Sequence, residues 1–138
     1  MKIKISETLD ELDSLVSQLK KSSYDIGSIA VFIGTVRGTR GKEKVLNLEY
    51  EAHETVALEV VKKIIDDSKT EFGITDAIVE HRIGTVTVGE AVMYVLVASE
   101  HRKESFQALA KIVDRVKHEV PIWKKEVTDK GAYWVENP

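Results

Sequence analysis

Apolar residues recur along this chain at two periods, and the switches between them mark out its elements. Ile3 and Ile5 alternate with lysines, a short strand. Over residues 8–20, Leu9, Leu12, Val16 and Leu19 return at three- and four-residue steps, which predicts a first helix. Residues 28–36 are dense in Ile, Val and Phe and predict a buried strand. Residues 45–51 alternate, with Leu46, Leu48 and Tyr50 on one face. These two strands are expected to pair as a hairpin tipped by the loop Gly34-Thr35-Val36-Arg37-Gly38-Thr39-Arg40-Gly41-Lys42. A second helix is predicted over residues 54–72, with Ala57, Val61, Ile64, Ile65, Ser68 and Phe72 on its apolar face and Gly73 to end it. A strand follows over 74–83. Gly84 and Gly89 then bracket a short Thr-Val-Thr-Val segment, and 91–98 is a nearly continuous apolar strand.

That last strand runs into a third helix. Ser99 is read as its N-cap. Phe106, Leu109, Ala110, Val113, Val116 and Val120 form its apolar stripe, and Pro121 stops it. Residues 122–127 and 132–135 complete the chain as a hairpin turned at Asp129-Lys130-Gly131. Strands, hairpins and three main helices mix without a linker, so residues 1–138 read as one α+β domain.

The third helix carries cations at both ends, His101 and Arg102 in its first turn and Lys117 in its last. At the rise of an α-helix, Arg102 and Lys117 lie roughly 22 Å apart along the axis. One small anion cannot touch both ends of one helix. Either these are two sites, or the front of one copy's helix meets the back of another's.

Charge and composition narrow the classes. A net charge of −3 gives no general attraction to nucleic acid or to an anionic membrane, so any cationic site is local. No apolar run approaches a membrane span, and the first residues lack the apolar core of a signal peptide, so a cytoplasmic location is expected. The chain has no cysteine, which removes thiolate metal sites and persulfide relays. Its four histidines, His53, His81, His101 and His118, form no HxxxH or HExxH spacing, so no metal site is expected.

Each basic feature has a functional and a plain reading. The Gly-rich loop offers backbone amides and Arg37 to an anion, or is a solvated hairpin tip. His101 and Arg102 at a helix start suit a phosphate, although cations at that end oppose the helix dipole. His81-Arg82 is read as structural. Lys117 either complements the dipole at the helix end or is a partly buried amine with a depressed pKa. Lys124 and Lys125 point to opposite sides of a strand, Lys124 toward the expected pocket, while Trp123 packs.

Taken in order, Phe32-Ile33-Gly34-Thr35-Val36-Arg37-Gly38, Leu48-Glu49-Tyr50, His81-Arg82-Ile83-Gly84, Gly89-Glu90, Ser99-Glu100-His101-Arg102 and Lys117 followed by Val120-Pro121-Ile122-Trp123-Lys124-Lys125-Glu126 resemble the large, catalytic subunit of molybdopterin synthase. The resemblance implies an α/β hammerhead-type fold with a mixed or antiparallel sheet. It implies a homodimer flanked by two small ubiquitin-like sulfur-carrier subunits, a heterotetramer. The carrier's C-terminal Gly-Gly thiocarboxylate would enter a pocket and transfer sulfur to cyclic pyranopterin monophosphate, forming the molybdopterin dithiolene of the molybdenum cofactor. Carried over by position, the pocket holds Thr35, Val36, Arg37, His101, Arg102, Lys117, Lys124, Lys125 and Glu126, with Lys117 and Lys124 catalytic and no cofactor on the chain. Some relatives carry a longer basic tail, whereas this sequence ends at Pro138. The competing class is a non-catalytic module binding a nucleotide or a phosphorylated metabolite.

Overall fold

The structure is a computed structural model describing residues 1–135; the expectations for the tail at Pro138 lie outside the described residues. In chain order the elements are β1 (Lys2–Ser6), α1 (Leu12–Lys20), β2 (Ser28–Thr35), β3 (Thr39–Arg40), β4 (Glu43–Ala52), α2 (Glu54–Phe72), β5 (Asp76–Arg82), β6 (Gly84–Thr87), β7 (Ala91–Ser99), α3 (Arg102–Glu119), β8 (Ile122–Thr128) and β9 (Ala132–Val135). They build two sheets. The first runs β1-β5-β7-β2, with β1 parallel to β5 and the other pairs antiparallel. The second runs β3-β4-β8-β9, with β6 also paired to β4. The fold class is α+β, with mixed and antiparallel sheets and three helices, as the sequence predicts.

Helices cover both faces of the first sheet. On one side α2 and α3 bury Ala57, Val61, Ile64, Ile65, Ala108, Ile112 and Val116 against Ala77, Val79, Val95 and Val97. On the other, α1 presses Leu15 and Leu19 onto Ile78, Leu96 and Ala98. Helix α2 has the predicted bounds, and Gly73 closes it at φ 71° with its N–H on the Lys69 carbonyl, a conformation that favours glycine. Helix α1 starts later than its periodicity suggests. The N–H of Asp10 donates to the fully buried carboxylate of Glu80 at 2.8 Å, and Lys2 Nζ reaches the same carboxylate at 2.7 Å. That anchoring holds the segment before Leu12 out of the helix and leaves Leu15, not Leu9, in the core.

Several expectations are corrected. Strands β2 and β4 do not form a hairpin: β2 pairs with β7, and β4 with β3, β6 and β8. Only Thr39–Arg40 folds back onto Glu43 and Lys44. Strand β2 is not buried but an edge strand, with Val31 and Ile33 exposed. A register shift between Val45 and Asn47 turns Val45 inward and leaves Leu46 exposed, so the inward set is Val45, Leu48 and Tyr50.

Helix α3 also sits differently. Its buried stripe is Ser105, Ala108, Ile112 and Val116, one position (about 100°) round from the predicted one. Small residues at 105 and 108 let the helix approach the sheet, so Phe106 and Ala110 face out. Ser99 is not the N-cap. It ends β7, and its hydroxyl donates to the His101 carbonyl at 2.6 Å and contacts Ser105 Oγ. His101 itself occupies the cap position and makes no side-chain capping bond.

Candidate active site

The second sheet, the end of β2 and the last turn of α3 enclose a cavity of about 730 Å³. Its wall carries Thr35, Arg37, Lys117, Lys124 and Glu126 together with Phe32, Met93, Tyr50 and His81. Each cation is aimed by a simple local device. The backbone of Val36 is bonded on both sides, its N–H to the Glu90 carbonyl and its carbonyl to the Gly89 N–H, while its side chain is 3% exposed. With Val36 locked into the core, alternation turns Arg37 outward into the cavity. Lys117 leaves the last helical turn, and its amine lies 5.7 Å from the centroid of the Phe32 ring, within cation–π range. Lys124 stands on β8 directly opposite Tyr50 of β4, both facing the cavity.

Thr35, Arg37, Lys117, Lys124 and Glu126 of the predicted set therefore meet, and the others do not. Val36 is a core residue. Lys125 turns to the opposite face of β8, where it pairs with Glu49 at 3.0 Å and lies 5.6 Å from the Trp134 ring. Trp123 does not pack; it is half exposed on that same outer face. His101 and Arg102 are exposed at the far end of α3, away from this cavity. In the Gly-rich loop, Arg37 alone among the cations lines the cavity. Arg40 instead stacks 4.3 Å over Tyr133 and holds the Glu126 carboxylate at 3.2 Å.

The electrostatics follow from clustering like charges in a half-buried space. Burial pushes the Lys124 amine below the ordinary lysine range, the ammonium of Lys117 and the guanidinium of Arg37 push it further, and Glu126 opposes them. Lys124 is thus an amine of this cavity with a lowered pKa. Burial raises the Tyr50 phenol to about 12, helped by the Glu126 carboxylate.

Sequence reasoning missed Tyr50 and His81 as cavity residues. The ring of His81 meets Tyr50 edge-on with centroids 5.0 Å apart. Burial lowers its pKa to about 4, against a raising hydrogen bond to the Arg82 carbonyl, and the ammoniums of Lys124 and Lys117 lower it further. Reading Tyr50 and Lys124 as inward positions of facing strands would have found the first. His81 needed the sheet order.

A pH dependence of stability follows. Below its ordinary value of 6.5 the unfolded His81 imidazole takes a proton that the folded one refuses until about pH 4. The unfolded state binds more protons in that window, so stability falls as pH falls through it. Urea unfolding should show a loss of roughly 2–3 kcal/mol between about pH 7 and pH 4.5, before most carboxylates titrate. His81→Gln should flatten that slope; an equal slope in both proteins would contradict the assignment.

The chain's likenesses accord with this geometry. Residues 5–119 match the family model described as MoaE protein. A molybdopterin synthase catalytic subunit from Pyrococcus abyssi is 44% identical over 115 residues, 83% of this chain and 78% of that one. The crystal structure of molybdopterin synthase from Staphylococcus aureus aligns with a TM-score of 0.84 at 30% identity, over 97% of this chain and 95% of that chain. A complex of subunits 1 and 2 of molybdopterin-converting factor from Helicobacter pylori shares the fold, with a TM-score of 0.76 at 20% identity over 98% of this chain and 89% of that chain. With most of its length matched by the family model and by a relative of this identity, the chain belongs to the MoaE family, the family of the molybdopterin synthase catalytic subunit.

Proposed function

We propose that the cavity between Arg37, Lys117 and Lys124 is the site at which this sulfurtransferase subunit of molybdenum cofactor biosynthesis converts cyclic pyranopterin monophosphate to the dithiolene. The observation that carries the reading is three cationic side chains, from a loop, a helix end and a strand, around one cavity, with a single carboxylate already engaged by Arg40. Such a site favours an anionic guest. Arg37 neutralises the cyclic phosphate, Lys124 orients the guest, and Lys117 assists attack by the thiocarboxylate sulfur as proton donor or through transient covalent bonding.

Because the chain has no cysteine, the sulfur arrives on another molecule. A small ubiquitin-like carrier with a C-terminal thiocarboxylate supplies it. Each transfer releases the carrier as carboxylate, with water providing the oxygen. The Helicobacter pylori two-subunit complex lends support to such a partner.

His101 and Arg102 enter the proposal through a second copy. Among the described residues no second strand pairs with the outer side of edge strand β2, and Val31 and Ile33 on it and Phe106 on neighbouring α3 are exposed. An open edge with apolar flanks suits docking of another chain. A two-fold pair would bring the front of one α3 toward the back of the other. Two such chains with two carriers form the heterotetramer.

The test is direct. Incubate the chain with the pterin precursor and a thiocarboxylated carrier, then read the pterin by mass spectrometry. The expected product gains two sulfurs. Binding without sulfur gain would return the chain to the class of phosphometabolite-binding modules.

A further inference from the structure

Among the described residues, Glu126 is the one acid in the cavity wall. It stands two residues after Lys124 on β8, so alternation sends both side chains to the same face of the strand. A carboxylate there would repel an anionic guest, or would take one of the lysines for itself. The structure shows a different partner. Glu126 Oε2 lies 3.2 Å from Nε of Arg40, which is not part of the cavity wall. Among the described residues no cation of the cavity comes within ion-pair distance of that carboxylate.

Arg40 is held in place from three strands. On β3 it stands opposite Glu43 of β4, with Nη1 4.0 Å from Glu43 Oε2. Its guanidinium lies 4.3 Å over the ring of Tyr133 on β9, and Tyr133 is the residue opposite Glu126 in the β8–β9 pair. The Tyr133 hydroxyl donates to Glu43 Oε1 at 2.7 Å, and the Thr128 hydroxyl donates to the same oxygen at 3.1 Å. Two hydroxyls thus fix Glu43, Glu43 fixes the Tyr133 ring, and the guanidinium stacked on that ring presents Nε to Glu126.

We propose that Arg40 is a positioning residue for the anionic guest: from behind the cavity wall it pairs with Glu126, cancels that charge and leaves Arg37, Lys117 and Lys124 free, without touching the guest. This rests on the reading of the cavity as an anion site. The arrangement has a physical logic. In a half-buried space a lone carboxylate acts on a guest far more strongly than it would in water. The face of an aromatic ring holds a guanidinium in place without adding a formal negative charge of its own.

A double-mutant cycle tests this, read as inorganic phosphate binding by NMR titration and as KM for the pterin precursor. Arg40→Met should weaken phosphate binding and raise KM by about three- to tenfold, with kcat little changed. Arg40→Lys keeps the charge and should stay within about twofold of the parent chain. The pair is partly exposed, so Arg40→Met should melt within about 2–4 °C of the parent. In a Glu126→Gln chain no carboxylate remains to be cancelled, and the same Arg40→Met should change either readout by less than about twofold.

Equal weakening in the two backgrounds would mean that Arg40 acts by its own charge or through the fold, and would overturn the proposal. So would an Arg40→Met variant that binds phosphate as the parent does, or a parent chain that binds no phosphate. A parent chain that shows the cycle in phosphate binding yet adds no sulfur to the pterin would count against the sulfur-transfer reading and leave the role of Arg40 standing.

Discussion

Lys117→Ala should abolish product formation, lowering sulfur transfer by about 10²–10⁴-fold, while leaving the fold and the assembly intact. The argument begins with position. Lys117 sits in the last turn of α3, where a cation complements the helix dipole, and its exposed side chain reaches over Phe32 at the cavity wall. Truncation removes an exposed side chain, so no core void is left. The lost contact with Phe32 is worth about 0.5–1 kcal/mol, and relief of repulsion from Lys124 offsets part of that. The melting temperature should therefore stay within about 2–4 °C of the parent's. A variant turning over at the parent rate with a thiocarboxylated carrier would remove Lys117 from the chemistry. A variant that fails to fold would show that the residue is structural.

Lys124→Met should give the second large loss, about 10²-fold or more in turnover, together with a rise in melting temperature. The opposite signs are the point. Folding places the Lys124 ammonium in a half-buried space beside Lys117 and Arg37 and lowers its pKa. Between that lowered value and the ordinary lysine value of 10.5 the unfolded state holds more protons than the folded one. The penalty is therefore fully present below the folded pKa and is relieved as pH rises toward 10.5. Methionine has similar length, no charge and an adaptable chain, so it fills the space without that penalty. A site that destabilises its own fold to keep an amine available is a familiar trade between stability and activity. Melting at neutral pH checks the first half and single-turnover sulfur transfer the second. A destabilised variant would mean that the amine is a structural tie.

How much of this was legible in the sequence depends on the reach of each interaction. Helix α2 was read with its bounds because a single helical period, a core face and a terminating glycine all lie within its own residues. The closing β8–β9 hairpin was legible for the same reason. Strand partners were not. β2 and β4 are neighbours in sequence, yet β2 finds β7 across the α2 and β5 segments, and no local pattern encodes that choice. The stripe on α3 was misjudged because Phe106 and Ala110 are apolar yet face outward, while the buried front is made of Ser105 and Ala108. In the site, Arg37, Lys117 and Lys124 stood out as cations in a dense pattern. His81 did not, since only the pairing of β5 beside β7 brings it to the cavity. Lys125 and Val36 show the reverse: residues carried along by a neighbouring motif whose side chains alternation sends elsewhere.

The account depends most on a site completed by two copies of the chain, since α3 is one continuous helix with Arg102 and Lys117 at opposite ends. Mixed assemblies test this most directly. Lys117→Ala and Arg102→Ala are each inactive alone in this account. When the two are unfolded together and co-refolded at equal amounts, half the pairs are mixed, and each mixed pair contains one site with both residues intact. Sulfur transfer should then return to roughly a quarter of the parent level. If the mixture stays as inactive as its two components while native gel analysis shows that mixed pairs have formed, the site is not shared and the account is wrong.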